Sequence, residues 1–336
     1  MSAEPCEVVV LDVGHGNSAI AVSSGFAMLI DAPADPTLLF AIKDLGIEKF
    51  DFVVISHRDR DHVAGLPAVI STQSLEIEEI FIPADATKNA ASHQSKSLIA
   101  SLADAKRSKR IKVSRDLDDA VGDALSGGRF KIEVLGPLFE DAMTGPGGVA
   151  QDGKMISSNS ASAVIRISCD DGGSILLPGD ADQRSFEALE ARGVDLTADI
   201  LVFPHHGRNA TVGHERGFAR WITELVSPGQ VYFSVGRGAI ARPSPEVLLG
   251  MREAAPNAYI ACTQLCAECA PEPLAENRTI GHLGGLPSSG AALRTCCAGT
   301  LHIDLNGPSL RAPDPREHQK FIDAVAVDPM CRRAVA

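Results

Sequence analysis

Aromatic side chains are scarce in this sequence: Phe, Trp and Tyr make up 4% of 336 residues, with a single Trp and two Tyr. Val, Ile, Leu and Ala must therefore fill the interior, and an apolar fraction of 45% is ample for a sizeable one. No apolar run approaches the roughly 20 residues of a membrane helix, so no membrane role is expected. The stretch Met1-Ser2-Ala3-Glu4-Pro5-Cys6-Glu7 lacks the basic start and apolar core of a signal peptide, which makes the cytoplasm the expected compartment. Basic residues are outnumbered, 31 Lys and Arg against 43 Asp and Glu, for a net charge of −12. That argues against a generally basic nucleic-acid surface, although bound cations and a local Arg/Lys patch can reverse the sign at one site.

What is present alternates in period. Apolar runs at Glu7–Val13, Ser18–Ser23, Phe26–Asp31, Phe52–Ser56 and Ile77–Ile82 read as strands, the second and third forming a hairpin at Ser24-Gly25. Helical spacing marks Pro36–Leu45, Val63–Ile70 and Ser92–Ala105. Asp141–Asn159 reads as a Gly-rich loop, after which strands and helices resume up to Thr300–Leu305. Strands in hairpins and strands linked by helices suit an α/β (α+β) fold of two sheets with helices packed outside. One domain over residues 1–306 is expected, with a loosely packed, Pro-rich and charged tail at 307–336.

The densest chemistry lies directly after a buried strand, in Ser56-His57-Arg58-Asp59-Arg60-Asp61-His62. A strand end is stiff and the turn after it curls its side chains around one point. Two imidazoles and two carboxylates can there converge on one or two divalent cations. A charged surface loop is the plainer alternative. Arg58 and Arg60 flank these residues, where they can meet a substrate phosphate or solvent.

His-x-Asp-x-Asp-His followed by Gly65-Leu66 resembles the second signature of the metallo-β-lactamase superfamily, with Asp59 where many members have His. Further motifs look like the metallo-β-lactamase domain of the competence protein ComEC. They are Leu11-Asp12-Val13-Gly14-His15-Gly16-Asn17, Asn159-Ser160-Ala161-Ser162, Leu176-Leu177-Pro178-Gly179-Asp180, Pro204-His205-His206-Gly207, and Ser234-Val235-Gly236 with Arg242-Pro243-Ser244. His15 and Asn17 depart from that group's Gln and Asp, and Arg242 stands where it often has His. The resemblance implies a four-layer αβ/βα sandwich with two metals at one edge. It makes His57 and Asp59 ligands of one cation, Asp61 and His62 of the other, and Asp180 the bridging carboxylate. His205 or His206 completes the shell, the choice between them staying open. Many members carry a further His ligand, for which His93 is the sole candidate, more simply read as a surface residue. Asp61, Asp180 and His206 are the candidate catalytic residues; Asn159, Ser162 and Arg208 are candidates for the substrate wall. Zn²⁺ and Mn²⁺ rank above Mg²⁺ because imidazoles accompany the carboxylates.

Five of the eight cysteines, Cys262, Cys266, Cys269, Cys296 and Cys297, fall in a stretch at 262–297 that interrupts the resemblance. This stretch, rich in Pro, Gly and Ser, reads as a loop insertion. Four of its thiolates could bind a structural Zn²⁺; packing and a redox role are the alternatives. The insertion is also a candidate surface for a protein partner. The leading functional expectation is a metal-dependent phosphodiesterase, a nuclease acting on DNA. A hydrolase of a small phosphodiester or ester comes second, and a regulatory binding module on the same fold third.

Overall fold

The computed structural model describes residues 4–83, 93–115, 117–208, 213–238, 242–276 and 280–332. The first part of the chain supplies β1 (Cys6–Val10), β2 (Ala19–Ser23), β3 (Phe26–Ile30), β4 (Lys49–Val54), β5 (Glu76–Phe81) and β6 (Lys112–Ser114). Next come β7 (Phe130–Gly136), β8 (Val164–Cys169), β9 (Ser174–Leu177), β10 (Ile200–Val202), β11 (Gln230–Phe233) and β12 (Tyr259–Cys262). Strands β13 (Leu301–Asp304) and β14 (Ser309–Ala312) return to the first sheet. That sheet has eight strands in the order β14-β13-β1-β2-β3-β4-β5-β6; the other has six, β12-β11-β10-β9-β8-β7. In each sheet one half is antiparallel and the other parallel, β3 to β6 and β9 to β12 being the parallel runs.

Alternation along the strands separates the layers. Val8, Val10 and Met28 face Ile165, Ile175 and Val202 across the space between the sheets. Val9, Leu29 and Val53 point the other way, into a layer of helices: α1 (Pro36–Asp44), α2 (Arg60–Val63), α3 (Leu66–Ser71) and α4 (His93–Arg107). After the short α5 (Phe139–Thr144), helices α6 (Gln183–Ala191), α7 (Glu215–Val226) and α8 (Pro245–Ala254) cover the outer face of the second sheet through Phe186, Phe218 and Leu248. The chain is completed by α9 (Ser289–Leu293) and α10 (Pro315–Val325). The result is the expected αβ/βα sandwich. No helix among the described residues is long and apolar enough to cross a membrane.

Three segments differ from the sequence reading. The helix expected at Val63–Ile70 is two short helices, α2 and α3, with a corner at Gly65. Gly65 N–H donates to Ala32 O, and a Cβ at this position would lie 2.2 Å from Pro33 O, so the chain turns where the two backbones touch. The Gly-rich stretch at 141–159 opens inside α5, because Asp141 forms a buried two-pronged pair with Arg184, both contacts at 2.9 Å. The residues after 306 are not a loose tail. β14 pairs with β13, Asp314 caps α10 by accepting from Arg316 and Glu317 N–H, and Phe321 and Ile322 are buried against Leu283 and Cys297. His318, Phe321 and Ile322 fall at i, i+3 and i+4, one helix face.

Candidate metal centre

Four parallel strands end at the same edge of the two sheets, and the residues following them converge there. Asp31 follows β3, the 57–62 turn follows β4, Asp180 follows β9 and His206 follows β10. The two oxygens of Asp180 face different imidazoles. Oδ2 lies 3.7 Å from His57 Nε2, while Oδ1 lies 3.3 Å from His62 Nε2 and 3.6 Å from His206 Nε2. Asp61 Oδ2 is 3.4 Å from His206 Nε2, and Asp59 Oδ2 is 3.8 Å from His57 Nε2. One carboxylate thus spans two groups of donors, as a bridging ligand must.

The supporting shell orients each imidazole. Ser56 Oγ donates to Asp31 Oδ2 and so accepts from His57 Nδ1 at 3.1 Å. His62 Nδ1 donates to Asp31 Oδ2 at 2.6 Å, and His206 Nδ1 to Ser234 O at 2.9 Å. With Nδ1 the donor in all three rings, Nε2 is left as the coordinating atom. His57 Nε2, His62 Nε2, His206 Nε2 and Asp180 Oδ1 are buried with no hydrogen-bond partner. Such an orphan costs ~1–3 kcal/mol, and four facing one another are satisfied together by cations. The donor set therefore fits divalent metals.

The electrostatics agree. Burial, then His62, drives the pKa of His57 down to about 3, keeping the ring neutral with a lone pair free on Nε2. Burial opposes ionisation of Asp180 and Asp61, yet His206 and His62 beside them hold both carboxyls below the usual range. Burial likewise opposes a charge on His62, but Asp31 and Asp180 outweigh it and raise its pKa. The same two carboxylates that favour positive charge on His62 would favour a divalent cation beside it.

The structure separates the paired histidines. Both have left-handed backbones, at φ 50° and 55°. His206 is 1% exposed and joins the donors. His205 is half-buried and stands outside them, its Nδ1 accepting from Asn159 Nδ2 at 3.1 Å. Ser162 does not line the substrate wall: it is fully buried and accepts from Asp180 N–H, bracing the Gly179-Asp180 turn. Arg208 is half-buried beside His205 and Arg242. His93 opens α4, and its side chain lies outside the described residues.

Sequence reasoning missed two contributors. Asp31, at φ 60°, is a conformation Asp tolerates better than most residues. It is 1% exposed, which a polar residue ending an apolar strand could have signalled. His15 is the other. Its Nε2 lies 3.2 Å from Asp61 Oδ2, so that His15, Asp61 and His206 form one group of donors and His57, His62 and Asp180 another. This grouping differs from the pairing of His57 with Asp59 and of Asp61 with His62 that the resemblance implies. His15 Nδ1, however, accepts from Arg242 Nη1 at 3.2 Å, which leaves hydrogen on Nε2, the reverse of the three inner rings.

The chain belongs to the metallo-beta-lactamase superfamily, whose model matches residues 11–219. The two His/Asp groups above are the candidate metal sites of the chain. Among solved structures the chain is similar to the metallo-beta-lactamase fold protein YhfI from Bacillus subtilis, at 16% identity and TM-score 0.49, covering 77% of this chain and 96% of that one. It is similar to Tm1679, described as a metal-dependent hydrolase of the beta-lactamase superfamily, at 15% identity and TM-score 0.47, covering 76% and 95%. A third likeness is to unliganded yeast PDE1, at 12% identity and TM-score 0.49, covering 77% and 98%. A search of curated proteins gave no match.

Proposed function

We propose that this protein is a metal-dependent phosphodiesterase that cleaves nucleic acid, DNA in the first instance. The observation that carries the reading is a pair of guanidinium groups set against the metal donors. Arg242 contacts His15, which contacts Asp61. Burial and the neighbouring charge of Arg208 lower the pKa of Arg242, while Asp180 and Asp61 pull the other way. Two cationic side chains that repel each other at this rim would be relieved by an anion between them, and a phosphodiester provides one. The rim is open at His15 and Asp59, whose side chains are 56% and 47% exposed, so an extended chain can reach the donors. The ordered series of motifs resembling the ComEC domain supports the same substrate class.

Two divalent cations, Zn²⁺ or Mn²⁺ before Mg²⁺, supply at such a site a water acidified toward neutrality and neutralise charge on the phosphoryl oxygens. His57, Asp59, Asp61, His62, Asp180 and His206 would hold them. Asp61 and Asp180, kept ionised by the imidazoles around them, orient the attacking water. His205, whose Nδ1 accepts from Asn159, offers Nε2–H to a non-bridging oxygen, and Arg208 and Arg242 receive the phosphate.

The test compares wild type, His57→Ala, Asp180→Ala and the double variant Arg208→Ala/Arg242→Ala on plasmid DNA, single-stranded DNA and bis-p-nitrophenyl phosphate with Zn²⁺ or Mn²⁺. Metal-dependent DNA cleavage is expected, lost in the first two variants, with KM raised about 10- to 100-fold in the arginine variant (roughly 1–3 kcal/mol for charged hydrogen bonds). Equal rates in all four proteins, or a fully metallated wild type inert on every diester, would refute it. The net charge of −12 favours a second reading, a small phosphodiester; cleavage of bis-p-nitrophenyl phosphate without DNA cleavage would select that.

A further inference from the structure

Away from the metal centre, a partly enclosed cavity of about 20 Å³ lies where α8, β12, the 262–297 insertion, α10 and the C-terminal turn meet. Cys262, Cys266, Cys269, Cys297, Cys331 and His318 all line it, and no Asp, Glu, Lys or Arg does. A space needs roughly 10–15 Å³ to hold one water, so this one holds a single small occupant. Five thiols and an imidazole from three separated stretches of chain surround it.

The donors stand in two pairs. Cys266 Sγ is 3.3 Å from Cys269 Sγ, across a Cys-x-x-Cys turn. Cys297 Sγ is 3.3 Å from His318 Nε2. Tetrahedral Zn²⁺, with Zn–S near 2.3 Å and Zn–N near 2.0–2.1 Å, places neighbouring donors about 3.5–3.8 Å apart. His318 Nδ1 is engaged by Tyr259 Oη at 2.7 Å, which leaves Nε2 directed at the thiol, the arrangement a ligating histidine needs. Among the described residues, only the two groups of the metal centre already bring three donors within 4.8 Å, so an ion here would draw the two pairs together.

We infer that this cavity is a structural site for a soft divalent cation of the zinc class, bound by Cys266, Cys269, Cys297 and His318. The set differs from the sequence expectation: Cys296 is buried near Asp12, away from the cavity, and His318 joins from α10. Sulfur-rich, carboxylate-free surroundings select Zn²⁺ over Mn²⁺ or Mg²⁺, unlike the first centre. Burial, then His282, lowers the pKa of His318 to about 3, so the imidazole is already neutral. Burial raises that of Cys297, whose proton, with those of Cys266 and Cys269, passes to solvent when the cation binds. The ion would tie α10 to the insertion, and the insertion to the metal centre. Thr263 Oγ1 donates to Val235 O, next to Ser234, which carries the acceptor for His206 Nδ1.

The test uses the full chain with cobalt replacing zinc. A near-ultraviolet sulfur-to-cobalt charge-transfer band, which a His/carboxylate centre cannot give, is expected in wild type and in Asp180→Ala. It should vanish in Cys266→Ser/Cys269→Ser together with one equivalent of zinc, and weaken in His318→Ala. Should the double variant fail to fold, titrating intact wild type with a mercurial thiol reagent gives a second readout, one zinc released per chain. No charge-transfer band and no zinc released by the reagent would overturn the site. A Cys266–Cys269 disulfide found by mass spectrometry in protein expressed with zinc would also overturn it. None of these readouts depends on phosphodiesterase activity.

Discussion

His62 Nδ1 lies 2.6 Å from Asp31 Oδ2, and through this contact the end of β3 orients a ligand presented after β4. Asp31 also accepts from Ser56 N–H and Oγ–H, at 2.7 and 2.8 Å, so one buried carboxylate fixes His62 directly and His57 through Ser56. Asp31→Asn keeps the size and tolerates the left-handed backbone, but puts a donor where an acceptor is needed. Metal affinity, read by chelator competition, should fall about 10- to 100-fold. Unchanged affinity would mean that Asp31 serves only the fold.

His15 should behave differently from the inner histidines. Its Nδ1 accepts from Arg242 and its side chain is 56% exposed, which suits the substrate side. His15→Ala should keep both active-centre cations by elemental analysis while lowering kcat/KM about tenfold or more, the ~1.4 kcal/mol of one hydrogen bond to a charged group. Loss of one cation instead would make His15 a ligand.

The corner at Gly65 admits no side chain, since a Cβ would sit 2.2 Å from Pro33 O. Gly65→Ala must push apart the 31–33 segment and the start of α3, at a cost of about 1–3 kcal/mol. Urea unfolding would measure this, and the shifted position of His62 should lower metal affinity as well. A neutral substitution would show that the two backbones are less tightly apposed.

Phe321 tests whether the C-terminal segment is part of the folded unit. It is 7% exposed and packs beside Ile322 and Cys297. Phe321→Ala should destabilise by about 3 kcal/mol, seen as a lower unfolding midpoint. An unaltered midpoint would restore the loose-tail reading.

The sequence alone determined the strand and helix alternation, because periods of 2 and 3.6 are local properties. It also determined which side chains could bind metal, because His-x-Asp-x-Asp-His is confined to one turn. It could not choose between His205 and His206. Both adopt left-handed backbones, and what distinguishes them is Ser234 O behind one ring and Asn159 beside the other. Nor could it reveal that Ser162 supports a turn rather than a substrate, or that His15 reaches Asp61 across 46 residues. The long-range meetings of Asp31 with His62 and of His318 with Cys297 were equally hidden, since neither spacing nor period encodes which strand ends share an edge. Only the packing of the two sheets brings those ends together, and with them the donors whose unpartnered atoms define the metal centre.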